Sequence, residues 1–209
     1  MKRKTQEEIA REVLSYQYDQ ENRFISYLHQ IREVLKTKPK KVLEIGIGNS
    51  TVNLYLKKRK IQVISFDINN KLNPDKVGDV RELSKHFKEN SFDTVLCAEV
   101  LEHIPFKDFE KSIKEIQKIT KNYLILSLPH FAMYFLLTVK IPRMRRRILK
   151  LKIPFPVKKR KGEHFWEIGW RNYPLKRIKR TLSKYFEIKS VFVVKENPYH
   201  RFFILNKRK

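Results

Sequence analysis

The segment Val42-Leu43-Glu44-Ile45-Gly46-Ile47-Gly48-Asn49-Ser50-Thr51 constrains the fold more than any other part of this chain. An apolar run ends in a carboxylate, two glycines flank one residue, and polar residues then open a helix-forming stretch. Glycines let a strand turn sharply into a helix and let a ligand approach bare backbone. The helix that follows has N–H donors free for a polar or anionic group. Position 51 is Thr, so a G-x-G-x-x-G is incomplete, and no Gly-Lys-Ser/Thr follows to make a P-loop.

Three later segments narrow the reading. Ile61 to Asp67 is a second apolar strand ending in an acid, 23 residues beyond Glu44, where a β-α-β unit puts a carboxylate on a ribose diol. Val77-Gly78-Asp79-Val80 supplies another acid after a short strand. Ser91-Phe92-Asp93-Thr94-Val95 runs on to Glu99-Val100-Leu101-Glu102-His103. With these four parts in order, the chain resembles the class I S-adenosylmethionine-dependent methyltransferases of the type-11-like group, over residues 40 to 130. The resemblance implies S-adenosyl-L-methionine as cofactor. It implies Glu44 at the methionine end of that cofactor, with Gly46 and Gly48 giving backbone contact. Ser50 stands where the family often has a third glycine. The resemblance further implies Asp67 on the ribose, Ile68 against the adenine, Asp79 and the Val80 N–H on the adenine ring, and Glu99 and Val100 lining the cleft.

The pattern of elements fits one α/β domain spanning residues 1–209. An N-terminal helical segment (1–38) precedes a cofactor-binding core (40–130). Gln6 to Lys36 in the first carries apolar residues near a 3.6 period; in the core, Ser50 to Arg59 is a crossover helix and Arg81 to Lys88 a short helix. A further helix is predicted over Pro105 to Ile119 and a strand over Tyr123 to Leu128. A basic, lid-like insertion (130–173) follows, then a helix and a closing hairpin (174–209) turned at Asn197-Pro198. Alternating strands and helices predict a Rossmann-like, seven-stranded, mostly parallel sheet with helices on both faces; the hairpin adds one antiparallel strand.

Charge is uneven. Residues 1–104 carry 19 basic and 15 acidic side chains, whereas residues 105–209 carry 28 and 7. Within 140–161 there are 11 basic residues and no acid. Such a field favours polyanions, so nucleic acid or an anionic membrane surface is an expected partner through residues 140–161. Met144 to Lys152 reads as a short basic amphipathic helix able to lie on a membrane or grip phosphates. The alternative is a solvated surface in a lysine-rich chain. One cysteine excludes a disulfide framework, and no apolar leader or 20-residue apolar run is present; the expectation is a cytoplasmic protein, with peripheral membrane contact as the variant.

Methyl transfer needs a base only when the nucleophile must lose a proton. His103, His130 and His164 are the candidates, the last within Gly162-Glu163-His164-Phe165-Trp166-Glu167-Ile168-Gly169-Trp170. No His/Cys cluster has metal-ligand spacing, so no metal is expected. Absence of Asp/Asn-Pro-Pro-Tyr and of a Pro-Cys nucleophile disfavours two kinds of base methylation. Three functions stay open: a methyltransferase for a polyanionic (RNA) or membrane-associated acceptor, a small-molecule O- or N-methyltransferase with an incidental basic surface, or a non-catalytic cofactor-binding protein that recruits RNA or a partner. A nicotinamide dehydrogenase is the fold-level alternative, opposed by the missing third glycine and by the Asp79 and Leu-Glu-His elements.

Overall fold

The computed structural model describes residues 4–139, 142, 147–153 and 162–208. Two N-terminal helices, α1 (Gln6–Val13) and α2 (Glu21–Lys36), lead into β1 (Lys41–Ile45), α3 (Thr51–Lys58), β2 (Gln62–Asp67) and the short β3 (Lys76–Val77). Then come β4 (Phe92–Ala98), α4 (Phe106–Ile119), β5 (Thr120–Pro129), β6 (Met133–Val139) and β7 (Arg147–Ile153). Helix α5 (Leu175–Tyr185) and strands β8 (Phe186–Val193) and β9 (His200–Lys207) close the fold. Thr5 opens α1 with a capping box: its hydroxyl accepts from the Glu8 N–H, and the Glu8 carboxylate accepts from the Thr5 N–H.

Seven strands form one sheet in the order β3-β2-β1-β4-β5-β9-β8. All neighbours are parallel except those of β9, which runs antiparallel to both β5 and β8. The expected Rossmann-like sheet with one antiparallel strand is therefore present. Leu43, Val95, Cys97, Leu124, Leu126 and Phe203 point to the face covered by α4 and α5, while Val42, Val63, Leu96, Ile125 and Phe202 meet α2 and α3. Strands buried on both faces explain the continuous apolar runs of β1, β4 and β5.

Two local expectations fail. The stretch Val80–Lys85 is a kinked 3₁₀ helix with Glu82 off helical geometry, not an α-helix. The basic segment holding Arg147 to Lys152 is not a helix either: it is β7, paired antiparallel with β6 from Met133↔Ile153 to Val139↔Arg147. Leu149 and Leu151 alternate with Lys150, and that period of two suits a strand. Arg145, Arg146 and Lys158 to Lys161 lie outside the described residues. Among those that are described, no helix is long and apolar enough to cross a membrane.

Candidate active site

A cavity of about 520 Å³ opens at the carboxyl ends of β1, β2 and β4, where open parallel sheets take their ligands. Glu44, Gly46, Gly48, Asp67, Ile68, Glu99, Val100, His103 and His164 line it. Helix α1 roofs it with Ile9 and Val13. A Lys4–Glu163 ion pair of 2.9 Å joins the start of that roof to the 162–170 segment.

The glycine loop is shaped for a ligand. Gly46 has φ +81°, and a Cβ there would stand 2.3 Å from Val100 Cγ2, so the position excludes any side chain. Gly48 has φ +54° and open space where a Cβ would be, leaving bare backbone toward the cavity. Ser50 adopts the left-handed conformation too, at φ 65° and at the N-cap of α3, with no side-chain cap bond. It thus occupies in strained form the geometry a glycine takes freely. Its side chain is not part of the cavity lining.

Glu44 is buried at 3% exposure, and its Oε2 has no hydrogen-bond partner among the described residues. Asn53 on α3 is beside it, its side-chain nitrogen also unpaired. Burial pushes the Glu44 carboxyl up to about 8 against weak opposition from Asn53 and Lys57. Asp67 anchors the loop: Oδ2 accepts from the Ile47 N–H (3.0 Å) and Oδ1 from the Asn69 N–H (2.8 Å). Burial raises its carboxyl, and those backbone donors hold the rise back. Ile68 follows with 60% of its surface open, an apolar platform at the cavity edge.

Asp79 and Val80 do not line the cavity. The Asp79 carboxylate caps the 3₁₀ helix through the Arg81 N–H (2.8 Å) and takes a bidentate grip from the Arg81 guanidinium, which also reaches Asp108. That grip holds its carboxyl below the ordinary value. The expected adenine contact is therefore engaged elsewhere here.

Glu99 leaves β4 with φ 55°, a left-handed conformation in a non-glycine residue of the kind that collects at functional sites. Its carboxylate accepts from Ser127 Oγ (2.7 Å) and lies 3.6 Å from His200 Nε2; burial pushes it to about 7. His200 escaped the sequence reading. It enters from β9, its Nδ1 hydrogen-bonded to Ser26 Oγ of α2 at 2.7 Å, and burial pushes it down to about 4. Partners 174 residues apart leave no local signal.

Of the three histidines expected at the site, the fold brings together two. His103 and His164 meet edge to face with ring centroids 4.8 Å apart. His103 keeps 43% of its side chain exposed toward the cavity, yet surrounding protein and the adjacent His164 push its imidazole down toward about 4, so it is neutral at pH 7. His164 Nδ1 is held by Glu167 Oε1 at 2.9 Å. His130 is corrected: it is buried away from the cavity, its Nδ1 accepts from Arg201 Nε at 2.6 Å, and its backbone bridges β5 to the 162–170 segment. Trp166 is core as well, its Nε1 donating to Ile104 O while its ring packs on Phe106 and Phe109. Only the leading part of that aromatic run, Gly162 to Phe165, reaches the cavity.

Residues 43–126 match the family model of a methyltransferase domain, the type-11 methyltransferases. These residues form a methyltransferase domain of that type. No curated protein matches it. Among solved structures it is similar in fold to the N-methyltransferase NodS from Bradyrhizobium japonicum WM9, solved with S-adenosyl-L-homocysteine (TM-score 0.68, 11% identity, 97% of this chain and 98% of that one). It is similar also to an S-adenosylmethionine-dependent methyltransferase from Clostridium acetobutylicum ATCC 824 (TM-score 0.60, 11% identity, 95% and 96%). A third is a methyltransferase from Archaeoglobus fulgidus (TM-score 0.59, 15% identity, 88% and 94%). S-adenosylmethionine is the methyltransferase's cofactor. The buried, unpartnered Glu44 Oε2, the open face of Gly48 and the exposed Ile68 are features that such a zwitterionic nucleoside fits.

Proposed function

We propose that this methyltransferase binds its cofactor between the glycine loop and Asp67 and receives its acceptor at the His103–His164 side of the same cavity. One observation carries the reading: both sets of residues line one continuous space. Glu44 with the Gly46 and Gly48 backbone would hold the amino-acid end, Asp67 the ribose hydroxyls and Ile68 the adenine. Asp67 can serve because each of its oxygens uses one lone pair on a backbone N–H and keeps another. Asp79 is left out of this assignment, its carboxylate being engaged by Arg81. When bound, S-adenosylmethionine supplies an already activated methyl group, so orientation and exclusion of water matter more than a strong base. The roof of α1 and the Lys4–Glu163 pair supply that exclusion. A neutral His103 can accept a hydrogen bond from the acceptor, though at about 4 it is too weak a base to keep a proton at neutrality. Calorimetry with S-adenosylhomocysteine tests the cofactor half: Asp67→Ala should bind at least tenfold more weakly than wild type. Equal affinity would overturn it.

A second observation favours a lipid-associated acceptor over RNA or a freely diffusing one. Strand register puts Phe135 beside Leu151 and Leu137 beside Leu149 on one face of the β6–β7 hairpin, and Met133 and Val139 extend it. All six are exposed. An exposed apolar face within the basic half of the chain suits the interface of an anionic bilayer. Flotation with anionic vesicles at matched salt, alongside label transfer from radiolabelled cofactor into lipid, RNA and small-molecule fractions, tests it. Phe135→Lys with Leu151→Lys should abolish vesicle binding. Label entering RNA, or unchanged flotation of the double variant, would overturn this reading.

A further inference from the structure

His103 and His164 line the cavity, and a buried carboxyl that does not reach the lining stands behind them. Glu102, in the 3₁₀ turn Leu101–His103 after β4, is completely buried, and among the described residues neither of its carboxylate oxygens has a hydrogen-bond partner. A buried carboxylate without donors costs several kcal/mol unless something compensates it. One oxygen of Glu102, one nitrogen of His103 and one nitrogen of His164 all lie within 4.8 Å of one another. Glu102 Oε1 is 3.9 Å from His103 Nε2, too far for a hydrogen bond and near the separation of two ligands of one ion. Ligands of a tetrahedral first-row cation at about 2.1 Å are about 3.4 Å apart, so side-chain movements of about 1 Å would close the group on a metal.

Two hydrogen bonds fix the side chains around this group. Glu167 holds His164 Nδ1, which leaves Nε2 as the free nitrogen; a carboxylate behind a histidine is the usual outer support of a metal ligand. The Glu102 carbonyl accepts from the Phe165 N–H at 2.8 Å and so fixes the His164 loop to the turn that carries the other two groups. Glu99 lines the same cavity and interacts electrostatically with Glu102.

We propose that Glu102, His103 and His164 form a divalent-cation site on the acceptor side of the cleft. Two imidazoles and one carboxylate favour Mn²⁺, Fe²⁺, Co²⁺ or Zn²⁺ over Mg²⁺ or Ca²⁺, and three protein ligands leave positions open for an outside oxygen. Resting on the acceptor placement given above, this assigns the acceptor to the class that chelates such a cation through hydroxyl or other oxygen donors. The cation would position that oxygen.

The test uses the full chain, freed of metal by chelator and titrated with Co²⁺. One equivalent should bind and develop the visible absorption of a nitrogen- and oxygen-ligated ion. Glu102→Gln, which preserves shape, and His164→Ala should each weaken binding at least tenfold; Glu167→Gln should weaken it less, as an outer support. Asp67→Ala, impaired in cofactor binding, should retain the cobalt spectrum, which separates failure of this site from failure of the cofactor assignment. No stoichiometric binding by wild type, or equal affinity in Glu102→Gln and His164→Ala, would overturn the proposal.

Discussion

Glu44 is where the demands of the site should appear most directly as lost stability. Its carboxyl is fully enclosed, has one oxygen without a partner, and is pushed by burial from an ordinary 4.5 to about 8. A carboxyl raised by folding supports the fold fully below pH 4.5, and that support drains away as pH climbs to 8. At about 1.4 kcal/mol per pH unit, the loss at pH 7 is about 3 kcal/mol. Glu44→Gln keeps the volume and the reach to Asn53 but has no proton to hold. The variant should therefore match wild type near pH 4.5 and exceed it by up to about 3 kcal/mol at pH 7, roughly 6–12 °C in Tm for a chain of this size. Urea melts at half-unit intervals from pH 4.5 to 8 measure the difference directly. The same variant should lose S-adenosylhomocysteine affinity by about 1.5–3 kcal/mol, the worth of a hydrogen bond to a charged group. A stability difference that stays flat across this pH range, or a variant less stable than wild type at pH 7, would refute the reasoning.

Asp67→Asn keeps the shape of the side chain but weakens the two backbone bonds that fold the glycine loop; it should destabilise by about 1–3 kcal/mol in melts, with a further loss of cofactor affinity by calorimetry. Ser50→Gly removes a left-handed strain of about 1 kcal/mol and should leave Tm unchanged or raised by a few degrees, whereas Ser50→Val should lower it. Trp166→Ala should cost about 3–5 kcal/mol by opening the core beneath the 162–170 segment. His164→Ala should cost far less in the same melts while still reducing turnover, so that the two neighbours separate into a packing residue and a site residue.

Much of the fold was legible from local pattern because each signal acts over a few residues. The apolar runs of β1, β4 and β5, the glycines at 46 and 48 and the acid closing β2 specify strands, a tight turn and a carboxylate at a strand end, and a doubly wound sheet then puts those ends together. The basic segment misled for the same reason. Met144 to Lys152 reads as a basic amphipathic helix, and only the pairing of β6 with β7 decided for a strand over 147–152 and turned an apolar face outward. Asp79 shows the limit of motif reading: its residue type is as expected, but its carboxylate was captured by an arginine two positions along. His130 and His200 changed places, because β9 inserts between β5 and β8; it carries His200 to Ser26 and Glu99 while Arg201 holds His130 away from the cavity. The meeting of Glu102 and His103 with His164 had no local signature, since about sixty residues separate the two halves and the loop is seated by one backbone bond from Phe165 to Glu102. Periodicity and turn chemistry are written in neighbouring residues, whereas the meeting of side chains across a cavity depends on register and packing, which exist only once the chain has closed.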